Sequence, residues 1–340
     1  MDSHTIERKN HDLVDIVKLV LSIMVCAIHS LGGVEWLRPW LSLAVPMFFT
    51  FSGYFFFSKW KKTPSLLDTF LPFFKRTARL YAVWFAIWLP LMMRNGGWFS
   101  KGILKGFFIL LVRIILNSTF TGAWYLSALI IGTLLICLLS KKAGNKVILA
   151  LGAILYVICV LMSNYRGLFS QESILQKVFV YTYPGTFYNS FPAGVFFIGV
   201  GKALAETNWA RNIKRWGLIS ILGLCFLYGE YLLIQRLGCR VDTDCYFILM
   251  LLVPLLSMTV LSSNTHYTYA KKCRNLSTIN YCMHGGVIQL LTIGLEMINI
   301  TANGLIWYLV RFGMTEVICL GVGTVIIKIS KEYAYISVLY

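Results

Sequence analysis

The chain is 340 residues long, 58% hydrophobic and 13% charged, whereas a soluble domain carries about 25% charged residues. That is too little charge to cover a surface facing water, which excludes a soluble globular protein. The formal net charge of +17 would suit nucleic acid, but the Lys and Arg residues fall in short segments between apolar runs, as the positive-inside bias requires; membrane lipid, not nucleic acid, is the expected partner.

The apolar runs are about 20 residues long, enough to cross a hydrocarbon core of about 30 Å. Only helices or closed barrels satisfy their backbone there. The runs show no period-2 alternation, so the expected fold is all-α, a polytopic membrane helix bundle. In chain order, ten spans are expected at 13–33, 40–58, 69–93, 122–140, 146–163, 190–206, 214–236, 245–263, 276–298 and 304–328. The first follows His4, Arg8 and Lys9 in the manner of a signal peptide. It holds Asp15 and Lys18 and lacks a small-residue cleavage pattern, so it reads as a retained span. Segment 101–117 is apolar but short and basic, which suits an interfacial or re-entrant helix. The loop 164–188 is the longest, and Tyr181, Tyr183 and Pro184 predict a packed segment. No repeat or second domain is visible, and 1–340 reads as a single unit.

Ten spans put both termini on one side. With the N-terminus inside, 20 of the 31 basic residues lie on inner segments, nine on outer ones, and Lys18 and Arg311 within spans. That asymmetry predicts cytoplasmic termini. Cys239 and Cys245 then face outside, where a disulfide between them could persist; the other cysteines read mostly as packing residues.

Two constellations carry chemistry. Asp15, Lys18, Ser22 and His29 stand at i, i+3, i+7 and i+14 of the first span, along one helix face. Ionisable groups inside a span are costly and commonly mark a site, although Asp15 and Lys18 also suit a pair at the headgroup boundary and His29 a satisfied packing residue. Lys75, Arg76 and Arg79 form the second cluster. The two arginines lie one turn apart on one face, a geometry suited to phosphate. Membrane anchoring accounts for the same residues.

Together these residues resemble the membrane acyltransferase-3 family. The elements are Asp15 and Lys18 followed by ten residues and His29, the turn Phe51–Tyr54, the arginine pair Arg76 and Arg79, the element Ala123–Leu126 with Trp124 and Tyr125, the Gly/Phe-rich Phe191–Gly199, and Tyr281–His284. Lys18 stands where the family more often has Arg, and no Glu accompanies the Trp124 element. The hydrolase-like or racemase domains fused to some members have no counterpart in the sequence.

The resemblance implies an integral membrane O-acyltransferase, most often an acetyltransferase, acting in the bacterial cytoplasmic membrane. Acyl-CoA, above all acetyl-CoA, is the implied donor, and a hydroxyl of a surface polysaccharide, lipid-linked sugar or peptidoglycan the implied acceptor. No metal is implied. His29 is the expected general base, with Asp15 and Lys18 ordering its helix or touching the cofactor. Arg76, Arg79 and Lys75 are the expected partners of the coenzyme phosphates. Trp124, Tyr125, His284 and Glu230 are assigned to the acceptor side, Glu230 with the alternative of pairing with Arg236 or Arg240. A transporter without acyl-transfer chemistry is the competing expectation.

Overall fold

The structure is a computed structural model that describes residues 11–32, 34–96, 99, 102–170, 172–174, 177, 187–207, 216–239, 244–298 and 304–340. Among these residues it is helical, without strands. The helices are α1 (Asp12–Ser30), the short α2 (Arg38–Leu41), α3 (Ala44–Trp60), α4 (Leu71–Gly96), α5 (Ile103–Leu116), α6 (Trp124–Leu139), α7 (Asn145–Met162), α8 (Phe191–Glu206), α9 (Trp216–Arg236), α10 (Leu249–Ser262), α11 (Ala270–Met297) and α12 (Leu305–Ile329).

Each of the ten expected spans coincides with a helix. Among the described residues, five stretches are long and apolar enough to cross a membrane: Asp12–Ser30, Glu35–Trp60, Asn145–Met162, Ile219–Arg236 and Leu305–Ile329. The helices α6 and α10 are apolar but shorter. The 16 residues of α6 rise only about 24 Å. The segment at 101–117 is α5, which turns Leu104, Phe107 and Phe108 outward. Tyr181, Tyr183 and Pro184 lie outside the described residues.

The centre of the bundle is α8, whose residues from Pro192 to Leu204 are all buried. A helix apolar on nearly every side suits a position enclosed by others, and its one buried cation, Lys202, pairs with Glu206 at 2.8 Å. Its main neighbours are α3, α7 and α6. Between apolar surfaces in lipid there is no hydrophobic drive to associate, so close van der Waals packing must supply the attraction. Glycine provides it here. A methyl group at Gly201 would stand 2.3 Å from the Thr50 carbonyl oxygen and 2.6 Å from the Tyr54 nitrogen, and one at Gly53 would stand 2.6 Å from the Ile198 oxygen. The backbones of α3 and α8 therefore touch.

The second assembly joins α1, α11 and α12, with α1 also resting on α3. It is held by polar contacts. Asn280 of α11 donates to Ser22 Oγ of α1 at 3.2 Å and to both carboxylate oxygens of Glu316 of α12 at 3.3 Å. All three are buried. The carboxyl-terminal turn at Ala334–Leu339 returns to α4, where the Leu339 carbonyl accepts from the Trp84 indole at 3.1 Å.

Cys239 and Cys245 are both buried and are not joined in a disulfide. Cys239 packs beneath Gly167.

Replacing Gly201 by Leu is expected to lower stability by about 1–3 kcal/mol or more, because a backbone carbonyl cannot step aside. Gly321→Leu, a position with open space around it, is the control expected to hold the wild-type melting temperature in detergent. Equal melting of the two variants would contradict the close contact.

Candidate active site

The two ends of α1 carry two different groups of side chains. At the end entering the bundle, Asp15 meets Arg274 of α11, with Nη1 3.6 Å from Oδ2. Lys18 instead lies over the ring of Phe55 on α3, its Nζ 4.9 Å from the centroid. Residues three apart on a helix point about 60° from one another, and here that angle divides the two side chains between neighbouring helices. In place of the Asp15–Lys18 pair that the sequence also allowed, Asp15 pairs with Arg274. Lys18 still lies within electrostatic reach of Asp15, Arg274 and Arg76, so α1, α4 and α11 contribute to one largely cationic cluster. Lys75, Arg76 and Arg79 are exposed on the first turns of α4.

Eleven residues further along α1, about 16 Å of rise, stands His29. Its ring stacks on that of His284, with centroids 5.3 Å apart and planes inclined by 23°. His284 is fully buried, whereas His29 keeps exposed surface. The outer imidazole therefore borders open space while its other side is held by a neighbour. His284 Nδ1 lies 3.2 Å from the carbonyl oxygen of Asn280. A carbonyl only accepts, so Nδ1 carries the proton and Nε2 holds a lone pair. That Nε2 is buried without a hydrogen-bond partner.

An aromatic wall fixes this pair. The Tyr281 hydroxyl donates to the Gly122 carbonyl at 2.8 Å, and its ring meets those of His284 at 6.0 Å and Tyr125 at 5.4 Å. Tyr125 in turn shares a hydrogen bond with Ser52 of α3 at 2.9 Å. The turn before α6 approaches His284 closely because Gly122 adopts φ +84°, with its missing side chain facing Tyr281 and His284 Cε1 at 3.4–3.5 Å. Trp124 packs on Phe49, centroids 5.9 Å apart.

Glu230 is elsewhere. Its oxygens accept from the backbone amides of Phe247 at 2.8 Å and Ile248 at 2.9 Å, and from the Tyr165 hydroxyl at 3.1 Å. These amides precede α10, so the carboxylate caps that helix and ties it to α9. Among the described residues no ion pair joins it to Arg236, its oxygens being taken by backbone amides and Tyr165, and Arg240 lies outside the described residues. Nearby, Arg38 Nε bonds Asp244 Oδ1 at 3.1 Å, with both side chains about one-third exposed (31% and 30%). Burial pushes the Asp244 carboxyl upward in pKa, and the Arg38 guanidinium pulls it back.

Three residues of this region escaped the sequence reading. Asn280 stands one turn before His284, Glu316 interrupts an otherwise apolar run, and Arg274 looks like any inner-edge anchor. The first two had a signal, since polar residues within a span need partners. Arg274 had none. Among the described residues no group of three or more His, Cys, Asp or Glu is placed to hold a metal.

A family model described as an acyltransferase domain, Acyl_transf_3, matches residues 12–329. Among curated proteins, two amino-acid racemases of Enterococcus faecalis are similar. Each is 24% identical, one over 312 residues (87% of this chain and 43% of that protein), the other over 255 residues (72% and 35%). A serine/alanine racemase of Enterococcus gallinarum is 26% identical over 321 residues, 89% of this chain and 44% of that protein. The chain thus spans less than half the length of the curated relatives it matches. No solved structure matches it significantly.

Glu230→Ala is expected to destabilise the protein by about 2 kcal/mol, since it strips two backbone donors of their acceptor. Thermal unfolding of the purified variant measures this, and an unchanged melting temperature would refute the capping role.

Proposed function

Because the chain belongs to the Acyl_transf_3 acyltransferase family, we propose that it is an O-acyltransferase that moves an acyl group, acetyl before others, from cytosolic acyl-CoA to a hydroxyl on a surface polysaccharide, lipid-linked sugar or peptidoglycan. The helices at the ten expected spans cross the bacterial cytoplasmic membrane in this reading, with α5 interfacial or re-entrant and both termini in the cytoplasm. The charge asymmetry of the loops supports that orientation.

The observation that carries the reading is the placement of His29. Its imidazole borders open space, is steadied by His284 on one side, and shares a helix with the cationic cluster that Arg76 joins. Phosphates of the coenzyme engage Arg76, Arg79 and Lys75, whose exposure on α4 leaves them available. Lys18 extends that positive field inward. The thioester lies near His29, about 16 Å along α1 from Lys18. His29 accepts the proton of the acceptor hydroxyl as its oxygen bonds to the thioester carbonyl carbon. The carbon–sulfur bond then breaks, and the coenzyme leaves as the thiol once the proton reaches sulfur. His284 holds the base in place, and Trp124 and Tyr125 lie toward the acceptor. Glu230 acts structurally.

A second reading follows from the names of the relatives: a membrane unit that serves an amino-acid racemase, with transport in place of acyl transfer. The two readings part at the donor, because only an acyltransferase binds acyl-CoA.

Replacing His29 by Ala should lower acetyl transfer by about 10²–10⁴-fold, with insertion and melting temperature retained. The assay is transfer from radiolabelled acetyl-CoA together with mass spectrometry of surface glycans from cells with and without the gene. Wild-type transfer in the variant would remove the mechanism. Replacing Arg76 and Arg79 by Ala should each raise the KM for acetyl-CoA about tenfold, as loss of a charge-assisted phosphate contact requires. An unchanged KM would place the coenzyme elsewhere.

A further inference from the structure

A groove of about 410 Å³ runs between α11 and α12, bounded by Val287, Leu291, Gly294, Trp307, Arg311 and Met314 among others. Its lining is apolar except at Arg311. Leu290 and Met314, also lining it, are about half exposed, so the groove opens sideways, toward lipid when the bundle is embedded. It begins near the ends of α11 and α12 at Leu295 and Trp307 and deepens to Val287 and Ile318. Along α12 that is 11 residues, about 16 Å of rise, close to the depth of one leaflet's hydrocarbon.

Arg311 is the unexplained feature. A guanidinium within a span is expensive and normally has a counter-charge. Among the described residues no carboxylate pairs with it. Glu316 is engaged by Asn280. One Arg311 nitrogen donates to the Ser30 carbonyl, the guanidinium rests over Tyr308 at 5.4 Å, and Nε is buried without a partner. An unneutralised cation in an apolar, laterally open groove is complementary to an amphiphile with a hydrocarbon tail and an anionic head. Ser30 follows His29 in α1, so Arg311 reaches the backbone of α1 one residue from the proposed base.

Building on the acyltransferase reading, we propose that this groove seats the lipid-linked form of the acceptor, with its chain between α11 and α12 and its phosphate against Arg311. The glycan beyond the phosphate then presents its hydroxyl to His29. This narrows the acceptor to one carried on a phosphate-bearing lipid and has it enter sideways from the leaflet, while the coenzyme arrives from the opposite end of α1.

The test uses the full-length protein in phosphatidylcholine nanodiscs and a polyprenyl phosphate carrying a photoreactive group in its chain. Irradiation should label peptides of α11 and α12. Arg311→Gln should lower labelling at limiting probe by at least about tenfold, the scale of a lost charge-assisted contact, with Arg311→Lys restoring part of it. Gly294→Phe is the second variant. A Cβ at Gly294 meets nothing within 4 Å, so a ring built there starts from open space on the groove's lining and should suppress labelling at an unchanged melting temperature. Equal labelling in both variants overturns the proposal, as does equal labelling by the uncharged polyprenol. Equally effective competition by phosphatidylglycerol also overturns it, since the groove then holds ordinary anionic lipid. Acetyl-CoA binding by the wild-type protein is measured in parallel. Binding without groove labelling removes the groove proposal alone, and labelling without acetyl-CoA binding removes the acyltransferase reading.

Discussion

The backbone contact between α3 and α8 is the constraint on which the other placements depend. Apolar side chains gain nothing by leaving lipid for other apolar side chains, so the helices are held by closeness of fit, and closeness is greatest where Gly53 and Gly201 remove the side chains from the interface. With α8 enclosed, α3 also turns a flank to α6. From it Ser52 reaches Tyr125, and Tyr125 packs against Tyr281. A chain of contacts thus runs from a glycine seam at the centre of the bundle to the ring stacked on His29.

The polar seam among α1, α11 and α12 follows a different physical logic. Buried amides and carboxylates in a low-dielectric interior must be paired or they destabilise the fold. Asn280 meets that demand twice: its side chain joins Ser22 and Glu316, while its carbonyl orients His284. The residue that fastens three helices therefore also sets which nitrogen of His284 carries a proton. Structural pairing and the geometry of the candidate site are the same contacts here, which explains why so few polar groups suffice in a chain that is 13% charged.

Charge is sorted along the bundle. Lys18, Arg76 and Arg274 gather at one end of α1, and the imidazole pair stands toward the other, where Arg311 donates to the Ser30 carbonyl. A polyanionic donor and an anionic lipid would be drawn to opposite ends of the same helix. The family relationship fits this division, since acyl transfer needs two substrates to meet. The racemase names of the relatives concern proteins more than twice the length that this chain matches, and their similarity lies in a portion no longer than this bundle.

The sequence by itself determined the helical class, the position of every long helix and the candidacy of His29, because hydropathy and the 3.6-residue period act locally and leave their mark in consecutive residues. It also placed Tyr281 and His284 in one motif. It did not determine partners. That Asp15 turns to Arg274, that Glu230 caps α10, that Glu316 is bound by Asn280 and that His284 lies under His29 depend on which helices become neighbours. Those neighbours are 17 to 259 residues apart in the chain and meet only through packing. An i, i+3 spacing gives two side chains a common face, but the helix on either side decides which way each one leans. Only the tertiary structure holds that information, because it arises from contacts between surfaces rather than from the order of residues within one.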